Sequence, residues 1–231
     1  MRQLALDLQL ADYARFDSYY PGPNDVVVRA LREVAISPAS QIIWLWGAQG
    51  SGRSHLLQAA VAAAADKDQS CAWLPLSDSV EITPAMLDGM GSLGLVCIDD
   101  VDAVAGNPAW EQALFRLYED LREHKGRLLV SASTAPASVD YTLRDLASRL
   151  ASGPTWKLKP LSDVDRLAAV QLRARWRGLD LPEDTGHYLL RRVERGNLAL
   201  FGMLDELDAA ALAAQRKLTI PFVKQVLKLE S

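Results

Sequence analysis

Residues 41–54 read "QIIWLWGAQGSGRS", and the fold hangs on how the last eight are taken. "QIIWLW" is a dense apolar run of strand length that stops at Gly47. "GAQGSGRS" is close to the phosphate-cradling pattern G-x-x-x-x-G-K-[ST], with Arg53 where the lysine stands. The alanine- and leucine-rich "SHLLQAAVAAAADK" that follows reads as a helix. A buried strand, a glycine turn and a helix N-terminus in that order are the setting in which backbone N–H groups converge on phosphate oxygens. The predicted nucleotide contacts are Gly47, Gly50, Ser51, Gly52, Arg53, Ser54 and His55, with the Ser54 hydroxyl on Mg²⁺.

Outward from this loop the pattern repeats. "CAWLPL" (71–76) and "LGLVCIDD" (93–100) read as strands, and "RLLVSAS" (127–133) and "TWKLKPL" (155–161) follow as a fourth and fifth. "TPAMLDGM" (83–90) reads as a short helix opened by Thr83 and Pro84. "NPAWEQALFRLYEDLREHKG" (107–126) is amphipathic, with Asn107 as cap, Pro108 at its start, Gly126 at its end, and Trp110, Leu114, Leu117 and Leu121 on one face. "LRDLASRLAS" (143–152) is a further short helix. Strands alternating with helices predict an α/β fold: a parallel five-stranded sheet sandwiched by helices. Beyond Pro160 only helical patterns remain. The expected organisation is an extended peptide over 1–12, a nucleotide-binding α/β domain over 13–160 and a small all-α domain over 161–231.

The third strand ends in Asp99 and Asp100. In a phosphate-loop protein the first of such a pair holds magnesium through water and the second orients an attacking water. Ser131 and Ser133 end the fourth strand, either as turn residues or beside the γ-phosphate. Asn24, in "YPGPND", is either a helix N-cap or a neighbour of the base. Arginine carries the lysine's charge on a wider planar fork. Nucleotide binding is therefore expected to survive the exchange, and intrinsic hydrolysis to be slow.

Composition narrows the function classes. Of 231 residues about half are apolar (49%), enough for a substantial core, and the formal net charge of −4 argues against a dedicated nucleic-acid binder. Cys71 and Cys97 are far apart, with Cys97 inside an apolar run, so free thiols are expected rather than a disulfide framework. His55, His124 and His187 have no metal-ligand spacing. The opening "MRQLALDLQL" lacks the character of a secretory signal, and no apolar run is long enough for a membrane span. A cytoplasmic protein with no membrane partner is expected.

Four stretches carry a resemblance: "GAQGSGRSHLLQAA", "LVCIDDVDAVAGNPAWEQALFRLYEDL", "DLASRL" and "RKLTIPFVKQVLKL". Together they resemble the AAA+ region of the bacterial replication initiator DnaA. Within that DnaA-related family they are closer to the Hda-like regulatory inactivators. The resemblance implies a P-loop AAA+ core with a helical lid and bound ADP (or ATP) with Mg²⁺. It implies that Asn24 lies beside the adenine, and that the partners are DnaA and the DNA polymerase III sliding clamp. DNA would be met only through the clamp. It implies that Arg149, in "DLASRL", acts in trans as an arginine finger on DnaA-bound ATP; from spacing alone, pairing with Asp145 is the simpler reading. Such fingers are worth ~10³–10⁵ in rate in well-studied GTPases.

The leucine ladder "QLALDLQL" (3–10) alternates with period two. It reads as an edge strand or, by the same resemblance, as a clamp-binding peptide anchored by Gln3, Leu4, Leu6 and Leu8. One feature departs from the family pattern: "RGNLALFGMLDEL" has Leu198 or Ala199 where a lid sensor arginine is expected, with Arg192 and Arg195 a turn away. The implied function is stimulation of ATP hydrolysis by DnaA, preventing re-initiation. A stand-alone ATPase such as a helicase loader, and a non-catalytic clamp–DnaA adaptor, remain alternatives; a homo-oligomer is compatible with all three.

Overall fold

The computed structural model describes residues 14–77, 82–192, 197–214 and 218–228. The chain divides into two compact units. One comprises the residues up to Phe16, Asn24–Ala48 and Gly52–Leu158; the other comprises Asp17–Pro23, Gln49–Ser51 and the chain from Lys159 onward. Each is described by itself.

The first unit is built on β1 (Ile42–Trp46), β2 (Cys71–Pro75), β3 (Leu95–Asp99), β4 (Arg127–Ala132) and β5 (Thr155–Lys157). All pairings are parallel and the order is β2-β3-β4-β1-β5. This is the parallel five-stranded sheet that the alternating pattern predicts. β1, β3 and β4 are buried along nearly their whole length and mostly apolar because both of their faces are covered. The helices are α1 (Asp25–Ile36), α2 (Arg53–Ala65), α3 (Pro108–Glu123) and α4 (Arg144–Leu150). On one face Trp110, Leu114, Leu117 and Leu121 of α3, with Leu146 and Leu150 of α4, pack on Ile42, Trp44, Val96, Ile98, Leu128 and Val130. Alternation sends Ile43, Leu45, Leu95 and Cys97 to the opposite face, where α2 packs and α1 packs on α2. Cys71 and Cys97 are both free thiols.

The expected caps of α3 hold at its start and change at its end. Asn107 accepts from the N–H groups of Ala109 and Trp110. At the C-terminus the left-handed residue is Lys125, with φ +59°, rather than Gly126. Gly126 is glycine for a different reason: a Cβ there would lie 2.7 Å from the Leu93 carbonyl oxygen and 2.6 Å from Leu121. The expected helix at "TPAM" is a single 3₁₀ turn over Pro84–Leu87.

The second unit contains α5 (Asp163–Trp176), α6 (Glu183–Arg192), α7 (Asn197–Ala214) and α8 (Ile220–Val226). Its core joins Leu167, Val170, Leu181, Leu189, Leu204, Leu207, Phe222 and Val223. α5 opens with a reciprocal capping box, Ser162 accepting from Asp165 N–H and Asp165 accepting from Ser162 N–H. It closes at Gly178, whose φ is +73°. No helix among the described residues is long and apolar enough to cross a membrane.

Candidate nucleotide site and trans-acting arginine

The glycine loop leaves the carboxyl end of β1, the edge at which open parallel sheets bind ligands. Gly47 N–H reaches back to the Ala132 carbonyl at the end of β4. Gly50 (φ +75°) and Gly52 (φ +93°) adopt the left-handed conformation. Gly52 is the N-cap of α2, so the turn runs straight into a helix whose first N–H groups have no intrahelical acceptor. The Ser51 hydroxyl is buried with no hydrogen-bond partner.

Arg53 is the first residue of α2, and its guanidinium is turned onto the protein. Nη1 donates to the carbonyls of Gly47 (2.7 Å) and Ala132 (2.5 Å), and Nη2 donates to Asp100 Oδ1 (2.8 Å). The pair is largely shielded, with side-chain exposures of 11% for Arg53 and 24% for Asp100. The planar fork divides the work between two nitrogens, one on the two carbonyls and one on the carboxylate.

Asp99 and Asp100 follow β3. Asp99 is buried and accepts from the Ser131 hydroxyl, with the Ser54 hydroxyl near enough to bear on its pKa. Burial pushes its pKa up and Asp100 adds to the rise; the two hydroxyls and Arg53 oppose it, and the net direction is upward. Asp100 takes a left-handed backbone (φ +54°), a conformation a short polar side chain tolerates. Its N–H donates to Ser131 Oγ at 2.9 Å, and its Oδ2 accepts from Ser77 Oγ at 2.8 Å. Both carboxylate oxygens are therefore engaged, one by Arg53 and one by Ser77, which does not match the water-orienting role expected of Asp100. Ser131 is fully buried between the two aspartates, and Ser133 donates to Asp102 through both N–H and hydroxyl.

These residues fit an adenine nucleotide with magnesium in their donor chemistry. The glycine turn and helix start offer backbone N–H groups, and the unpartnered Ser51 hydroxyl is one that a bound phosphate would satisfy. Ser54 and Asp99 are neighbouring hard oxygen donors of the kind Mg²⁺ takes, water and phosphate supplying its remaining ligands. Asn24 is buried at the N-cap position of α1, but its side chain makes no capping bond there. His55 Nε2 lies 2.9 Å from the Arg15 carbonyl oxygen, a structural contact.

Arg149 lies in the last turn of α4 with its side chain 45% exposed. Its Nε is 3.3 Å from Glu119 Oε1 of α3, and its guanidinium lies 6.0 Å from the Tyr118 ring centre. The cis partner is thus Glu119, not the Asp145 that spacing suggested. Glu119 is shared, since its other oxygen pairs with Arg122. The candidate clamp residues Gln3, Leu4, Leu6 and Leu8 lie outside the described residues, as does Arg195. Arg192 rests on the Tyr188 ring, 5.4 Å from its centre.

Residues 163–227 match the family described as Hda, lid domain. The chain as a whole superposes on crystalline domain III of the Thermotoga maritima replication initiation protein DnaA. The TM-score is 0.80 at 19% identity, covering 95% of this chain and 98% of that one. The chain has the AAA+ fold of DnaA domain III, and its helical unit matches the Hda lid. AMPPCP-bound DnaA from Aquifex aeolicus is also similar, with TM-score 0.69 and 18% identity over 85% of this chain and 65% of that one. The Thermotoga maritima RuvB Holliday junction branch migration motor matches at TM-score 0.63 and 14% identity, over 89% and 68%. At such identities the structural likeness is one of fold.

Two charged residues escape the sequence reading. Glu111 looks like an ordinary acidic residue in the first turn of α3, yet it is completely buried. The available signal is helical: it lies three residues before Leu114 and so borders the apolar face. Arg127 opens β4, is also buried, and donates to the carbonyls of Gly94, Val34 and Ala35 and to Gln69 Oε1. Nothing in its local sequence marks it, because its acceptors come from three distant segments.

Proposed function

We propose that this protein is a regulator of DnaA that lends Arg149 to the ATP held by that initiator. It keeps its own nucleotide, ADP or ATP with Mg²⁺, as a structural ligand. It docks on the DNA polymerase III sliding clamp through Gln3, Leu4, Leu6 and Leu8 and meets DNA only through the clamp. The guanidinium neutralises charge on the phosphoryl group being transferred, and hydrolysis of DnaA-bound ATP shuts off re-initiation.

The observation that carries this reading is the contrast between two arginines. Arg53 spends its fork on its own loop and on Asp100, whereas Arg149 stands nearly half exposed at the end of a helix, beside the half-buried Glu119 and the Tyr118 ring. The lid-family match supports the choice of DnaA as target, and the AMPPCP-bound relative supports an adenine nucleotide. The test is hydrolysis of DnaA-bound ATP in the presence of DNA-loaded clamp. Addition of this protein is expected to accelerate it, Arg149→Ala to remove the acceleration, and deletion of residues 1–10 to abolish clamp capture. Full acceleration by Arg149→Ala would leave only an adaptor that brings DnaA to the clamp. ATP turnover by this protein alone, at the rate of an active ATPase, would favour an independent enzyme.

A further inference from the structure

Glu111 sits at a junction that the functional reading does not use. Its Oε1 accepts from Gly106 N–H (2.7 Å) and Thr142 N–H (3.1 Å); its Oε2 accepts from Thr142 Oγ1 (2.6 Å) and Leu143 N–H (2.7 Å). Burial alone would raise its pKa, but these four neutral donors outweigh it and hold the carboxyl below its ordinary value. Thr142 and Leu143 are the entry to α4, and Leu143 is its N-cap position without any side-chain cap of its own. One carboxylate on α3 therefore takes up three N–H groups and a hydroxyl, two of the N–H groups from the point where α4 begins.

Farther along α4, Leu146 and Leu150 are buried against the α3 face of the sheet, and Arg149 pairs with Glu119 near its end. Apolar packing is non-directional, and no other side chain caps the start of the helix. Glu111 supplies the directional constraint, and Arg149 lies six residues beyond Leu143, about 9 Å along the helix axis.

We propose that Glu111 is the positioning residue for the trans-acting arginine: its carboxylate fixes the start of α4 and so sets where the Arg149 guanidinium is presented. The consequence for hydrolysis rests on the functional reading above; the anchoring rests on the contacts of Glu111 itself. The partner's phosphoryl group is recognised by a group that must arrive within hydrogen-bond distance, and a displacement of about 1 Å can cost ~10²-fold in rate.

The test compares Glu111→Gln and Thr142→Val with the native protein. The amide puts donors where the site offers donors, and valine removes one of the four bonds at a residue exposed enough to tolerate it. Stimulation of DnaA-bound ATP hydrolysis is measured against protein concentration. Spin labels at Gln112→Cys and Ser148→Cys, in a Cys71→Ala background with Cys97 left buried, report the α3–α4 distance. Glu111→Gln is expected to lower the saturating stimulation about tenfold, with half-saturation and ADP affinity within about twofold of native. Its label distance distribution should broaden, and Thr142→Val should move both readouts the same way by less. If Glu111→Gln does not fold, Thr142→Val decides. A folded variant with full saturating stimulation and an unbroadened distribution overturns the proposal. Should Arg149→Ala retain full stimulation, the functional reading falls instead, and the label distances alone decide whether Glu111 anchors α4.

Discussion

Arg53 and Asp100 form a 2.8 Å ion pair inside the phosphate loop's own site, and each brings further bonds to it. Arg53 adds the carbonyls of Gly47 and Ala132; Asp100 adds Ser77 and, through its N–H, Ser131. The loop, the end of β3 and the end of β4 are thereby tied through one guanidinium. A carboxylate held this way accepts from fixed protein donors instead of from water, and the proposal that this pocket holds its nucleotide without fast turnover rests on that arrangement.

Arg53→Lys should therefore wake the site. The ammonium is compact and lacks the second nitrogen that holds Asp100, so the carboxylate is expected to lose its fixed partner while the positive charge remains. Single-turnover hydrolysis of ATP by the isolated variant is expected to rise about tenfold, or about 1.4 kcal/mol of barrier. A rate equal to that of the native protein would show that the pair is not what restrains turnover.

Arg149→Ala should separate activity from stability. Its pairing with Glu119 is 45% exposed on the Arg149 side and half-buried on the Glu119 side, at 29%, and Glu119 keeps Arg122 when Arg149 is gone. A pair open to water on the arginine side contributes about 1 kcal/mol or less, so the variant should unfold within about 1 kcal/mol of native in denaturant titrations while stimulation of DnaA is lost. A large loss of stability would mean that the residue is structural.

Arg127→Met should do the reverse. Removing the guanidinium strands the carbonyls of Val34 and Ala35 at the end of α1, the Gly94 carbonyl and the Gln69 side chain. Burial lowers the pKa of Arg127, so its charge is held at a cost that only these acceptors offset. The expected destabilisation is about 3–5 kcal/mol, visible as a shifted denaturation midpoint. Stimulation per folded molecule is expected to be unchanged, since Arg127 opens β4, at the opposite end of the strand from Ser131 and Ala132.

The sheet, its helices and the helical unit were legible because their signals are local: apolar runs that stop at Gly47 and Asp99, and an amphipathic stripe from Trp110 to Leu121. The glycine loop was legible because its turn residues are contiguous. Partnerships were not. Arg149 meets Glu119 rather than Asp145 because α3 packs beside α4, and Asp100 is occupied by Arg53 and Ser77 from other strands' ends. Lys125, not Gly126, takes the positive φ because the glycine is consumed by the approach of Leu93 and Leu121. These facts depend on tertiary neighbours, which periodicity does not encode.

Asp99 and Glu111 should give stability profiles of opposite sign. The folded-state pKa of Asp99 is raised by burial, so its contribution is full below the ordinary carboxylate value and lost as pH rises through the raised one. At neutral pH its ionised form is a liability, and Asp99→Asn should be more stable than native by about 1 kcal/mol. The advantage should vanish as the native carboxylate protonates. The folded-state pKa of Glu111 is lowered because four donors outweigh the effect of burial, so its stability is present above the ordinary value and lost as pH falls through the lowered one. Glu111→Gln should therefore be less stable than native by about 3 kcal/mol at neutral pH, the gap closing in acid. Denaturant midpoints for the three proteins, taken from about pH 7.5 down to about pH 3, check both signs together. Asp99→Asn should also lose the extra stability that Mg²⁺ with ADP confers on the native protein. A native protein that gains nothing from Mg²⁺ with ADP, or an Asp99→Asn variant that gains as much, would remove Asp99 from the magnesium site.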